Sequence, residues 1–386
     1  MAGGVAAQGV SRARAARPVP SGASPLQGRH GPRFIGRMRL LLSLLSVTHL
    51  LAAQPPAPPR PAPPAPRRPA APVAPLPPNE LGRIPIVEWH QVGDADGSYR
   101  VSRARFLAEL TALHARGYVP IALDDLLSGR IDLPAGTSPV LFTFDDSSPS
   151  QFRYRLRGDR LEVDSSSALG ILEGFLAQHP DWSPRGVFCL LPAADAGHAF
   201  FGDKGIDGQQ TAWRFPKLRH LVARGYELCN HTLWHARLDK ASSALVREQL
   251  ARGVMAIDSA VPGYRVRALA LPYGLWPKDR SLAVAGEWTP PPRRGGAPSR
   301  APVRYRHEAV FLVAGGPARS PHDPAFDPLA LPRVPLQGGT SLTRTLDALD
   351  RPGPQSRYVS DGNPATVARP ATGAAAGAAA AAPQKR

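Results

Sequence analysis

Leu141-Phe142-Thr143-Phe144-Asp145-Asp146-Ser147-Ser148 is the stretch on which the reading of this chain turns. Four mostly apolar residues run straight into two adjacent carboxylates, and then into small polar residues. A short apolar run of this kind reads as a buried strand. Ser147-Ser148-Pro149-Ser150 reads as the loop that ends it. Both carboxylates then stand at the carboxyl end of a core strand, the edge of a parallel α/β fold where sites are built. Neighbouring side chains on a strand point to opposite faces. At a strand end, however, the chain turns, and both can face one cavity. Two carboxylates side by side are costly unless a cation or hydrogen-bond donors hold them. Taken alone, the pair also reads as the cap or turn that Asp commonly supplies.

A second stretch, Asn230-His231-Thr232-Leu233-Trp234-His235, follows the apolar segment Gly225-Tyr226-Glu227-Leu228-Cys229. Its histidines are four apart, so one turn of helix would put both imidazoles on one face. Ordinary surface or core histidines are the plain alternative. A carboxylate pair and a histidine pair, each ending an apolar run, point together to a site. Two neutral imidazoles and one carboxylate make a three-ligand set for zinc or a similar divalent ion, with a position left for water. The second aspartate is then free to act as a base.

At these residues the chain resembles the polysaccharide deacetylases of carbohydrate esterase family 4, the NodB homology domain. Thr143 to Asp146 is similar to that family's Thr-Phe-Asp-Asp motif, and His231, Thr232 and His235 to its His-Ser/Thr-x-x-His motif. Pro272-Tyr273-Gly274 is similar to its Pro-Tyr-Gly. The order is the same, and the resemblance covers roughly residues 83 to 340. It implies a distorted, incomplete (β/α) barrel and hydrolysis of an N-acetyl group on an amino sugar, or of an O-acetyl ester. It also implies that Asp146, His231 and His235 hold one divalent ion, with zinc the first choice, and that Asp145 is the general base. A backbone N–H near Tyr273 would hold the oxyanion, against a packed aromatic in a Pro-Gly turn as the alternative. Relatives often carry Tyr-His or a similar pair on the first strand. That makes His90 a substrate-side candidate, against the alternative of a capped strand end.

Two positions depart from the family pattern. Many relatives have an arginine two residues before Pro-Tyr-Gly that orients the base; here the residue is Ala270, with Arg265 and Arg267 nearby in sequence. Many also have a late Leu-x-His whose histidine protonates the leaving amine. The nearest counterpart here is Leu331-Pro332-Arg333, and arginine stays protonated and is a poor acid. His90, His307 and His322 are the imidazoles that could substitute.

The rest of the chain supports this frame. Ser102 should cap a helix that places Phe106, Leu110 and Leu113 on one face, with Gly117 ending it. Strands are expected at 84–90, 118–121, 186–191, 267–271 and 309–313, alternating with amphipathic helices, which argues for a parallel sheet. Residues 147–163 read as a long Arg-rich loop, 192–212 as an insertion and 287–306 as a surface loop. Cys189 and Cys229 end neighbouring strands; both sit in apolar runs and read as buried free thiols, although an exported protein permits a disulfide.

The formal charge is +17, of which about +9 lies before residue 81 and about +6 in residues 81–370. That is no nucleic-acid footprint, and no basic stripe interleaved with aromatics is present. An acetylated glycan or cell-envelope polysaccharide is the expected partner; no protein partner is evident. The alternatives are a catalytically impaired carbohydrate-binding relative and an amidohydrolase on a small non-sugar amide. The retained Asp145, Asp146, His231 and His235 speak against a mere binder, which needs no base.

Five segments are expected. Residues 1–37 form a disordered basic extension. Residues 38–53 form a signal peptide, with a membrane anchor as the alternative, because about 14 apolar-rich residues follow Arg39. Residues 54–80 form a Pro/Ala-rich linker, 81–370 the deacetylase-like domain and 371–386 an Ala-rich tail. A signal that begins at Met38 is natural, so translation is expected to start there. Terminal sequencing of the exported product should give a mature end near Gln54; retention of residues 1–37 would refute the internal start.

Overall fold

In the computed structural model, residues 76–194, 198–292 and 301–370 are described. The readings for 1–37, 38–53, the greater part of 54–80 and 371–386 lie outside the described residues. Among the described residues no helix is long and apolar enough to cross a membrane.

Among the described residues the central sheet is eight-stranded, and seven short strands form its continuous path. They are β1 (Ile86–Trp89), β2 (Ser138–Phe144), β3 (Val187–Leu190), β4 (Glu227–Asn230), β5 (Ala268–Ala270), β6 (Ala309–Phe311) and β7 (Val334–Pro335). Their spatial order is β6-β5-β4-β3-β2-β1-β7, and every pairing is parallel. A further strand, Tyr118–Pro120, pairs with the first half of β2. The two ends of the sheet approach each other. Leu331, just before β7, accepts from Leu312 N at 2.9 Å and donates to Val310 O at 2.9 Å. A single bridge, Phe311 to Leu331, therefore links the β6 edge to the segment that pairs with β1. An eighth strand that lies off the path, and a join this slight, make the expected distorted, incomplete (β/α) barrel.

Alternation along the strands sorts side chains between two layers. In β1 and β2, Val87, Trp89, Phe142 and Phe144 face the helices, while Ile86 and Leu141 face the barrel interior. Both faces are covered, which is why β2 is buried along its whole length. Outside, Trp89 stacks on Phe144 at 5.3 Å, Phe144 on Phe188 at 4.5 Å, and Phe106 meets Trp89 edge-on at 5.1 Å. Each such pair contributes about 0.5–1.5 kcal/mol beyond its burial. The same alternation carries Glu88, Thr143 and Asp145 to the inside.

The outer layer holds α1 (Arg103–Ala115), α2 (Ala168–Gln178), α3 (Arg214–Arg224), α4 (Ser243–Ala260) and α5 (Leu342–Leu349). Ser102 caps α1 by accepting from Arg105 N at 3.2 Å, and Phe106, Leu110 and Leu113 are buried, as the periodicity predicts. Gly117 follows its end at φ 73°, a conformation that costs a glycine little.

Four sequence expectations need correction. Residues 147–163 are not one loop: Tyr154–Arg157 and Arg160–Val163 form an antiparallel hairpin. The flanks of 287–306 also pair, as Ala285–Trp288 with Val303–Arg306. Alternating polar and apolar residues in both segments were hidden by arginine. The fold also begins before residue 81, since Asn79 N donates to Val359 O at 2.9 Å and Glu80 is buried.

The fourth correction concerns the cysteines, which are bonded to each other. Cys189 in β3 and Cys229 in β4 are register partners, with Cα atoms 4.3 Å apart. Their side chains lie in the barrel interior with Ile86, Leu141 and Ala270. Apolar surroundings suit a disulfide as well as a thiol, so burial could not decide the matter. The bond closes a 40-residue separation. Cys189→Ala combined with Cys229→Ala should therefore cost about 2–4 kcal/mol in urea unfolding; unchanged stability would show that the thiols do not pair.

Candidate metal and catalytic site

The site is built where β2, β4 and β5 end. Asp145 closes β2 with its side chain inward and is 1% exposed. The chain then turns through left-handed backbone, with Asp146 at φ 76° and Ser147 at φ 45°. That turn undoes the strand alternation and lets both carboxylates face one region. Ser147 clasps the insertion that follows β3: its Oγ donates to His198 O at 2.6 Å, and its carbonyl accepts from Phe201 N at 2.9 Å. Gln151 ties the strand ends together by donating to both His90 O and Asp145 O.

After β4 the two histidines reach the same place, though not on a helix. Thr232 and His235 have φ 69° and 63°, so the segment is a turn of left-handed residues. Asn230 anchors it. Its Nδ2 donates to Leu250 O at 3.0 Å, and its Oδ1 accepts from Thr232 N at 3.0 Å. A Cβ on Gly253 would stand 2.3 Å from Asn230 Oδ1, so α4 needs glycine there for the approach.

The coordinating atoms converge. His231 Nε2 is 3.3 Å and His235 Nε2 3.6 Å from Asp146 Oδ1, and one donor atom from each residue lies within 4.8 Å of the others. His231 Nδ1 donates to Ala270 O at 2.9 Å, which turns the Nε2 lone pair toward the carboxylates. That Nε2 is buried without a hydrogen-bond partner. Burial alone would lower the His231 pKa, but Asp145 and Asp146 outweigh it and raise it. Burial and the neighbouring His231 lower His235 to about 4. Burial opposes ionisation of Asp146, yet His231 holds it down at about 2. An orphaned imidazole lone pair, a neutral imidazole and an ionised carboxylate fit a divalent ion of the zinc type.

Arg333, a poor acid by its chemistry, proves to be the partner of Asp145. Its guanidinium is fully buried. Nη1 and Nη2 donate to Asp145 Oδ1 and Oδ2 at 2.8 and 2.7 Å, and Nε donates to Leu312 O at 2.6 Å. Nη1 also donates to Thr143 Oγ1 at 3.2 Å. Burial pushes Asp145 up, but Arg333, then His231, pull it well below the usual carboxylate range. Arg265 and Arg267, the other arginines considered, pair with Glu308 on the surface instead.

Glu88 was also missed. It is wholly buried, and Oε1 lies 2.9 Å from Arg333 Nη2, without the alignment of a hydrogen bond. Burial raises its pKa well above the ordinary value; Arg333 opposes this and Asp145 adds to it. One guanidinium thus serves two carboxyls, and Asp145 takes the ionised role. The sequence signal was a lone charge in the apolar run 84–89. His90 sits beside it, with Nε2 3.7 Å from Glu88 Oε1 and its Nδ1 buried without a partner. Burial lowers its pKa. Glu88, His90 and Asp145 also have ligand atoms within 4.8 Å of one another, but Arg333 already supplies the cation there.

An open cleft of about 550 Å³ lies over Asp146 and His235, lined also by Leu191, His198, Trp234 and Tyr273. Tyr273 stands at φ 59° with its ring 4.4 Å from that of His235 and is 54% exposed; Trp234 is 44% exposed. His198, inside the insertion, was not foreseen; its Nδ1 is 3.1 Å from Asp146 O. His307 and His322 are not brought here. His307 is buried between Ala283 O and Asn230, and His322 lies by Gly129 and Tyr358.

Residues 190–288 match the polysaccharide deacetylase family model. A chitooligosaccharide deacetylase of Bradyrhizobium sp. (strain ANU 289) is 35% identical over 82 residues, which is 20% of this chain and 37% of the relative. One from Sinorhizobium fredii is likewise 35% identical over 82 residues, covering 20% of this chain and 38% of that one. This chain therefore spans less than two fifths of each of these curated relatives. A Streptococcus pyogenes deacetylase solved with acetate is 16% identical, with a TM-score of 0.46, over 69% of this chain and 97% of that one. The family-model match over residues 190–288 takes in both imidazoles and the Pro-Tyr-Gly turn, so that this part of the chain is similar to polysaccharide deacetylases.

Proposed function

We propose that this protein is an exported, metal-dependent hydrolase that removes acetyl groups from the sugar units of an acetylated polysaccharide. The observation that carries the reading is the convergence of Asp146, His231 and His235 beside Asp145, an ionised carboxylate held in a buried guanidinium clamp. A carbohydrate binder has no need of that clamp. The open cleft flanked by the exposed rings of Trp234 and Tyr273 favours a glycan over a small amide, because sugars pack on aromatic faces.

Asp146, His231 and His235 would hold the ion. A divalent ion there supplies a Lewis acid that polarises the acetyl carbonyl and makes water easier to deprotonate. Asp145 accepts the proton of the attacking water. Arg333 keeps that carboxylate ionised and fixes its rotation through both oxygens. The Tyr273 N–H is the donor for the developing oxyanion. Acetate release from a panel of N- and O-acetylated glycans, with and without a chelator, tests the whole reading; no release from any of them would overturn it.

Two variants separate the aspartates. Asp145→Asn should keep its metal while turnover falls by roughly 100-fold or more, the scale of lost general-base catalysis. Asp146→Asn should lose metal affinity, and added metal should restore part of its activity. Rescue of the first variant rather than the second would mean that the roles are reversed.

Arg333→Lys keeps the charge and loses the two-point grip. Acetate release should fall on the order of 100-fold, the effect of a misplaced reacting group. Arg333→Met leaves two buried carboxyls without a cation, and thermal or urea unfolding should show a loss of about 3–5 kcal/mol. Wild-type turnover in Arg333→Lys would remove Arg333 from the mechanism.

A further inference from the structure

His114, His179 and Asp181 form a second cluster, at the opposite rim of the barrel from the site. His114 lies in the last turn of α1 and His179 is the C-cap of α2, with Asp181 in the turn beyond. Helices run back antiparallel to the strands they join, so their C-termini lie at the amino ends of the strands. Asp145 and His231 lie at the carboxyl ends. In folds of this kind the carboxyl rim carries chemistry and the amino rim carries stability.

The geometry is that of a ligand set. One donor atom from each of His114, His179 and Asp181 lies within 4.8 Å of the others. His114 Nε2 is 2.8 Å from Asp181 Oδ2, and the imidazole rings of His114 and His179 are 4.1 Å apart. Ligand bonds near 2 Å in a tetrahedral site set donors about 3.3 Å apart. The histidine–aspartate pair then needs to open by only roughly half an ångström. The cluster is also held in place. His114 packs against Phe175 at 5.9 Å and Trp182 at 5.3 Å, and His179 against Phe175 at 4.1 Å. Trp182 is fixed in turn by its Nε1, which donates to Tyr118 O at 2.8 Å.

An ordinary ion pair explains His114 and Asp181 alone. It does not explain the second imidazole, for which no hydrogen bond of the ring is seen among the described residues. Two imidazoles and a carboxylate are the donors that zinc and its neighbours prefer, and partial exposure leaves a path for the ion and a place for water. We propose that His114, His179 and Asp181 bind a second divalent transition-metal ion of the zinc class, which joins α1 to α2 at the amino rim and takes no part in hydrolysis.

The test uses zinc itself, on full-length protein freed of any affinity tag, loaded, dialysed and assayed by atomic absorption. His235→Ala removes a ligand of the first site, so this variant should retain one zinc per chain. Adding His179→Ala should bring it to none. In the otherwise wild-type protein, His179→Ala and Asp181→Asn should each lose one zinc and keep wild-type acetate release. Zinc should raise the unfolding temperature of His235→Ala and leave that of the double variant unmoved, since only a folded site gains from the ion. Asp181 is exposed and its amide variant removes no packing, so a folding defect does not confuse that arm. If His235→Ala holds no zinc, or if its zinc survives both His179→Ala and Asp181→Asn, the proposal is overturned.

Discussion

The buried guanidinium of Arg333 is the charge on which the carboxyl rim of the barrel depends. Asp145 and Glu88 point into the interior from neighbouring strands, and both are buried. Without a cation, two carboxyls in that space would suppress each other's ionisation. Arg333 settles which one ionises by gripping Asp145 through two bonds and touching Glu88 only by proximity. Its remaining donors end on Leu312 O and Thr143 Oγ1, so its position is set by the strands themselves. The Asp145 carboxylate is therefore held by a residue 188 positions away in sequence.

Much of this fold was legible because parallel strands with both faces covered read as apolar runs. The run ending at Phe144 and the one ending at Cys229 declared their strands, and polar residues immediately after each declared the site. The helix caps at Ser102 and Gly117 were legible for the same local reasons. Short arginine-rich hairpins were not, since their pairing is decided by packing over the barrel and their composition imitates a loop.

The site was legible in part. Asp145, Asp146, His231 and His235 are brought together as expected, yet the histidine spacing works through left-handed backbone at Thr232 and His235 where a helical turn was expected. Positive φ at a threonine and a histidine leaves no trace in the sequence. Arg333 and Glu88 were invisible as a pair because their meeting is a fact of barrel closure. His198 was hidden by the irregularity of its segment, which hydrogen bonds to Ser147 and Asp146 fasten beside the site.

The disulfide has a consequence for the order of assembly. Cys189 and Cys229 are inside the barrel and wholly covered. Exchange chemistry needs a thiolate that a partner can reach. The two sulfurs must therefore meet an oxidant while the ring is still open. What closes the ring is the segment around Leu331, which joins the β6 edge to β1 and carries Arg333 inward two residues later. Oxidation of the interior thus comes before delivery of the guanidinium, and Asp145 acquires its counter-charge only after the Cys189–Cys229 bond has been made.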